Sequence, residues 1–516
     1  MTIFKKLPDD ILNYLNDFID IKSKVNLFYS KTNNQELIKI CYIKKIIKNY
    51  KFLTDEILQQ NIFDQLVEIK TFNNLKITNL NRFYKTLQVI DISWNCGVDD
   101  NGIKDCLKLT KIEVAGNKKI KDLNRFYLTL QIININGDCG VDDNGIKDCL
   151  KLVDINASFN PKIKDLNKFL KTLQYINISD HLCGVDDNGI KDCLKLIEIN
   201  AQNNSKITNL NRFYLTLQII NIDGYYCGVD DNGIKDCLKL ININAQNNSK
   251  IKGLNRFYQT LKIIDIGGNC GVNDNGIKDC LKLIEINAQN NSKIKNLNKF
   301  YQTLQIIDIG YNCGVDDNGI KDCLRLISIS TADNLQIKDL NKFYKTLQVI
   351  DISWNCGVDD TGIKDCLNLI KIKACGNPKI KDLNKLYQTL QIIDIGYNCG
   401  VDDNGIKDCL RLISISTADN LQIKDLNKFY RTLEIIDISG FQCGVDDNGI
   451  KDCLKLIEIN VNSNEKIKNV NRFYQTLQII NIGGYCGVND NGIKDCLNLI
   501  EIKAFGNQKL QKKIQI

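Results

Sequence analysis

Two cysteines ten residues apart, Cys96 and Cys106, bracket the stretch CGVDDNGIKDCLKL, which also holds three acids and two glycines. Residues of these types can ligate a metal, form a redox pair or cradle calcium. The spacing argues against each. Zinc sites draw on closely spaced pairs such as C-x-x-C. A calcium loop needs more oxygen ligands, including a closing glutamate, and none is placed here. Close copies of the stretch return at Cys139, Cys183, Cys227, Cys270, Cys313, Cys356, Cys399, Cys443 and Cys486. A chemistry written ten times is infrastructure of a repeat, and the cysteines are expected to be small, buried and reduced.

No other constellation points to catalysis. His181 stands alone in SDHLC, and the chain has no G-x-x-x-x-G-K, G-x-S-x-G or H-E-x-x-H. The Asp-Asp pairs recur with the cysteines, which suits helix caps better than one acid/base pair. No enzyme, no cofactor and no metal are expected.

The elements that hold these residues follow from the period of 43 or 44 residues. Each period divides into two similar halves. LQVIDISWNC begins one at Leu87, and LTKIEVAGN begins the other at Leu109. Both run L-x-x-I-x-I toward Cys96 or Asn117, the pattern of leucine-rich repeats. Ile90 and Ile92 alternate with Val89, Asp91 and Ser93, as in a short strand with one buried face. Leu123, Phe126, Tyr127 and Leu130 fall at i, i+3, i+4, i+7, one face of a helix. Asp100 is expected to cap the helix of its half, with Ile103, Cys106 and Leu107 facing inward. The asparagine column from Asn74 to Asn507 is expected to satisfy backbone groups where each strand turns.

The fold class is therefore α/β: a horseshoe solenoid with a parallel sheet on its concave face and short helices on its convex face. Residues 66–516 hold about 21 such half-repeats, in ten periods. Composition agrees, with 43% hydrophobic and 25% charged residues, and the net charge of +7 is too small to argue for nucleic acid. There is no signal-like apolar core at the start and no run long enough to span a membrane. A membrane is not expected as a partner. A cytoplasmic or nuclear protein is expected.

Residues 1–45 lie outside the repeat. LPDDILNYLNDF reads as a helix start, with Pro8 in the first turn and Asp9 and Asp10 near its positive end. Amphipathic runs then hold Val25, Leu27 and Phe28, and Leu37, Ile38 and Cys41. This stretch resembles the F-box, a three-helix module, with VNLFYSKTNN standing in its second conserved segment; the tryptophan usual after that segment is missing. Joined to cysteine-type repeats, it resembles the F-box/leucine-rich-repeat proteins, including those of giant DNA viruses, which would place it in a host cell. The resemblance implies that Leu7, Pro8, Ile11, Leu12 and Leu15 dock on the Skp-type adaptor of a cullin–RING ubiquitin ligase while the repeats hold an unknown protein substrate. Residues 46–65 are expected to be a helical connector. The alternative is a free-standing repeat scaffold whose N-terminus only caps the solenoid.

The partner site is expected on the strands and at their exit. Outward strand positions carry Asp91, Asp308, Asp351 and Asp394, and just beyond them stand Trp94, Tyr311, Trp354 and Tyr397. Tyr226, Phe441 and Tyr485 lie nearby. The aromatics are either binding anchors or strand-end packing.

Overall fold

The computed structural model describes Ile46–Ile47 and residues 53–510. The F-box-like segment, with Leu7, Pro8, Ile11, Leu12 and Leu15, lies outside the described residues. The chain divides between Ile251 and Lys252 into two compact units. Each is a leucine-rich-repeat solenoid. Among the described residues the first unit has ten strands, from Ile46–Ile47 to Asn242–Asn244, and the second has twelve, from Ile263–Asp265 to Glu501–Lys503. Within each unit every strand pairs in parallel with the next in chain order. Ile90 stands opposite Ile112 and Ile112 opposite Ile133, so the middle residue of every strand stacks on its equivalent.

The core repeats with the sequence. In one period Leu87, Ile90, Ile92, Val98, Ile103, Cys106, Leu109, Ile112, Leu123, Phe126 and Leu130 are all buried. The asparagine column does what its position requires. Asn117 Nδ2 donates to the carbonyls of Ile92 at 2.8 Å and Val98 at 3.3 Å, while its Oδ1 accepts the N–H of Lys119 at 2.9 Å. Asn291 and Asn377 repeat the arrangement.

The two aspartates divide their work, and the expectation for Asp100 is corrected. Asp99, the first of the pair, caps its own turn by accepting the Gly102 N–H at 2.9 Å. Asp100 instead accepts the N–H groups of Lys121, at 2.9 Å, and Asp122, at 3.2 Å, in the following half. The reverse junction uses Asn124, whose Nδ2 donates to the Asn144 carbonyl at 2.7 Å and whose Oδ1 accepts the Asp148 N–H at 2.8 Å. Gly102 is needed because a Cβ there would come within 2.1 Å of the Thr78 carbonyl oxygen.

The helices are single turns, such as Asn124–Phe126 and Asp143–Ile146. That corrects two burial expectations. Leu107 is 55% exposed and Tyr127 51%, because a single turn buries residues three apart, Leu123 with Phe126 and Ile103 with Cys106, and then leaves. The connector also differs from expectation. It holds the strand Ile46–Ile47, parallel to Glu68 and Ile69, before the short helices Asp55–Leu58 and Asn61–Phe63.

All cysteines among the described residues are free and buried. Cys106 donates to the Leu80 carbonyl of the preceding half, and Cys149 to that of Leu123, each at 3.3 Å. Burial, reinforced by the charge of Asp105, pushes the Cys106 thiol up to about 12. Among the described residues no group of three or more His, Cys, Asp or Glu converges to hold a metal, and no helix is long and apolar enough to cross a membrane.

Candidate partner-binding site

Each strand is followed by a turn that needs one residue in the left-handed region. The requirement recurs once per half-repeat, at Asn73, Trp94, Gly116, Gly137, Phe159 and onward to Gly506. Most of these positions hold glycine, asparagine or aspartate, the residues that tolerate positive φ. Five hold an aromatic ring: Trp94 (φ 60°), Phe159 (56°), Tyr311 (54°), Trp354 (61°) and Tyr397 (53°). A bulky side chain there is an outlier that costs on the order of 1–2 kcal/mol. The neighbouring half-repeat holds the conformation in place. The N–H of Trp354 donates to the Cys375 carbonyl at 2.7 Å, and that of Tyr397 to Ala418 at 2.5 Å.

The tryptophans are also seated. A Cβ on Gly376 would lie 2.7 Å from Cε3 of Trp354, and one on Gly116 would lie 2.8 Å from Cε3 of Trp94. Each indole therefore rests on the backbone of the next half-repeat, yet Trp354 remains 44% exposed and Trp94 56%. Packing and exposure coexist: one part of the ring is fixed and the rest is presented to solvent.

In the second unit the rings assemble. Trp354 and Tyr397 have centroids 5.5 Å apart at 41°, and Phe441 and Tyr485 lie 5.7 Å apart at 45°. Between the two pairs is a shallow pocket bordered by Tyr397, Asn398, Asp419, Phe441 and Gln442. Tyr311 and Trp94 occupy equivalent backbone positions but have no such ring partner among the described residues, so the assembled cluster is centred on Trp354, Tyr397, Phe441 and Tyr485.

The acids beside the rings are less free than their sequence positions suggest. Asp91 accepts the Ser93 N–H at 3.1 Å, Asp308 that of Gly310 at 3.0 Å, Asp351 that of Ser353 at 3.1 Å and Asp394 that of Gly396 at 3.2 Å. One oxygen of each carboxylate thus shapes the strand exit. Asp308 and Asp394 are held further by the side chains of Ser330 and Ser416, while the second oxygen of Asp351 stands 3.9 Å from Lys373 Nζ. Burial raises Asp308 and Asp394 above the usual carboxylate range against the N–H groups of Gly310 and Gly396, and the nearby charges of Asp351 and Asp437 add to the rise. His181 is exposed and stands 2.9 Å from its neighbour Asp180.

Sequence reasoning missed Phe159, which falls three residues past the outward Asn156 as Trp94 does past Asp91. That offset was the available signal, but it occurs in the other kind of half. It also missed the lysines that brace the turns: Lys206 and Lys466 each reach back to a cysteine carbonyl, of Cys183 at 2.6 Å and Cys443 at 2.7 Å.

No family model matches the chain, and no curated protein matches it. Among solved structures it is similar to TLR13 in complex with ssRNA13, at 11% identity and a TM-score of 0.49, covering 90% of this chain and 84% of that one. It is similar to the functional domain of InlJ from Listeria monocytogenes, described as including a cysteine ladder, at 15% identity and a TM-score of 0.34, covering 78% and 76%. An internalin, InlF, from Listeria monocytogenes strain 4b F2365 shares 15% identity, with a TM-score of 0.31 and coverage of 79% and 90%.

Proposed function

We propose that the protein works by binding another protein through its repeats, along the exit edge of the strands. Trp354 and Tyr397 are the principal anchors, with Trp94 and Tyr311 in equivalent places. Asp91, Asp308, Asp351 and Asp394 steer a basic, partly apolar partner. The observation that supports this is the set of aromatic residues at positions where the backbone favours glycine or asparagine. A side chain kept against a local cost of this kind, part-fixed and part-exposed, suits a preorganised anchor.

Within that reading, the repeats present a substrate to a cullin–RING ubiquitin ligase and the N-terminal segment docks on its Skp-type adaptor. The support is the sequence resemblance alone, through Leu7, Pro8, Ile11, Leu12 and Leu15 and their place ahead of cysteine-type repeats.

Two experiments test the two levels separately. Proteins captured from lysate by the full chain are compared with those captured by a Trp354→Ala/Tyr397→Ala variant. The binding reading expects specific partners to be lost. It fails if they are all retained while Lys364→Glu/Lys407→Glu, on the outer turns, releases them. Purified Skp-type adaptor is then offered to the full chain and to Leu7→Ala/Pro8→Ala. No adaptor binding by the wild type would remove the ligase assignment and leave a scaffold whose N-terminus caps the array.

A further inference from the structure

Within the second unit the outer turns present a column of apolar side chains. Leu281 follows the buried Cys280, and Tyr301 follows the buried Phe300, at equivalent places in successive halves. Leucine and tyrosine alternate in this way along the second unit, and from Tyr258 to Tyr474 each is about half exposed. Neighbouring turns are tied together at these residues: Thr303 Oγ1 donates to the Leu281 carbonyl at 3.2 Å, and Asn368 Nδ2 to that of Tyr344 at 3.1 Å. With half of each tyrosine's roughly 150–250 Å² open, the tyrosines alone expose several hundred Å². That reaches the size of the largest patch on a typical monomer, about 300–600 Å².

One flank is basic. The residue after each column member is Lys282, Arg325, Lys345, Arg411, Arg431 or Lys455, or else an amide, and from Gln259 to Asn498 it is never an acid. The cations share the face of the tyrosines: Lys345 Nζ lies 5.5 Å from the Tyr344 ring centroid, and Arg431 Cζ lies 5.3 Å from that of Tyr430. On the other flank bases and aspartates alternate from half to half and offset one another, and a further lysine stands three residues before each leucine of the column. The first unit carries the same column, with Tyr84, Leu107 and Tyr127.

We propose that this outer face rests on an anionic lipid surface, with the leucines and tyrosines at the level of the headgroups and the lysines and arginines on the phosphates. Leucine and tyrosine bordered by lysine is the chemistry of a segment lying in a membrane interface, which needs no long apolar run. This departs from the sequence expectation, which weighed only segments able to span. A second copy of the chain fits less well, because two basic borders repel each other. Single-stranded nucleic acid would use the tyrosines for stacking and leave every second, leucine position without a role.

The test is co-sedimentation of the full chain with vesicles of phosphatidylcholine alone or mixed with phosphatidylserine. Binding is expected only to the mixed vesicles and is expected to fall as salt rises. Leu324→Ser/Leu367→Ser and Lys345→Glu/Arg431→Glu, all on exposed side chains, should each weaken it at least tenfold with unchanged thermal melting. The proposal is overturned if the wild type ignores phosphatidylserine, binds both vesicles alike, or is unaffected by both variants. It is also overturned if the leucine pair instead abolishes a concentration-dependent dimer, or the tyrosine column captures single-stranded RNA in place of vesicles.

Discussion

Replacing Gly376 with alanine tests whether Trp354 is seated as an anchor. Gly376 has φ +69°, and the added methyl would meet the indole at 2.7 Å. Gly137 supplies the control, because it has φ +71° but its nearest neighbour to an added Cβ is 4.0 Å away. Both alanines bear the left-handed strain of about 1–2 kcal/mol. Only at Gly376 must a ring also leave its seat. If half of a tryptophan's roughly 150–250 Å² is lost to water, the further cost is up to about 2–3 kcal/mol at ~25 cal/mol per Å². The chain has two tryptophans, so in a Trp94→Phe background the emission belongs to Trp354 alone. Gly376→Ala should red-shift that emission, increase acrylamide quenching and destabilise more than Gly137→Ala. Equal destabilisation by the two alanines, with unchanged quenching, would refute the seat and with it the claim that the ring is held ready for a partner.

The other expectations follow from the same geometry. Asn291→Ala should destabilise by about 3 kcal/mol or more in denaturant titrations, because it strands the buried carbonyls of Ile266 and Val272 together with the Lys293 N–H. Asp99→Asn should be nearly neutral in the same assay, since Asn273 already caps the equivalent turn, whereas Asp100→Ala should cost about 1–2 kcal/mol by freeing two N–H groups. Once a partner is in hand, Trp354→Ala/Tyr397→Ala should weaken its affinity more than Asp351→Asn/Asp394→Asn, and the acid pair should mainly lower the association rate and its salt dependence. The thiol of Cys106 is raised from an ordinary value near 9 to about 12, so its folded value exceeds its unfolded one. Its contribution is whole below about pH 9 and disappears as the pH rises toward 12, on the order of 4 kcal/mol for such a cysteine. The unfolding midpoint followed by circular dichroism should therefore fall as the pH rises above 9, and native thiols should resist alkylation at pH 8 until the chain is denatured.

The strand pattern, the stacked isoleucines and the asparagine column were legible because each rests on spacing within one half-repeat. The positions of Leu107 and Tyr127 were misread because a helical period was extended past a single turn. The role of Asp100 was misassigned for a related reason: its partners, the N–H groups of Lys121 and Asp122, are 21 and 22 residues away and become neighbours only when coils stack. The aromatic residues near the strand exits were visible, including Trp94, Tyr311, Trp354 and Tyr397. Their left-handed backbone was not, since the sequence shows the tolerance of glycine and asparagine at those places but not that a tryptophan is made to share it. The seat of Trp354 on Gly376 joins residues 22 apart and could not be read from either alone.

The alternating junctions also govern how such an array can change its length. A half ending in Asp100 offers an acceptor for two backbone N–H groups of an asparagine half, and a half carrying Asn124 offers a donor and an acceptor to a cysteine half. Inserting or deleting a full 43-residue period leaves every junction between unlike halves. Losing one half alone would set two like halves together and break the alternation of junctions at one seam. Recombination by whole periods thus keeps every junction as it is. The identical stretches 325–344 and 411–430 stand two periods apart, in the same kind of half.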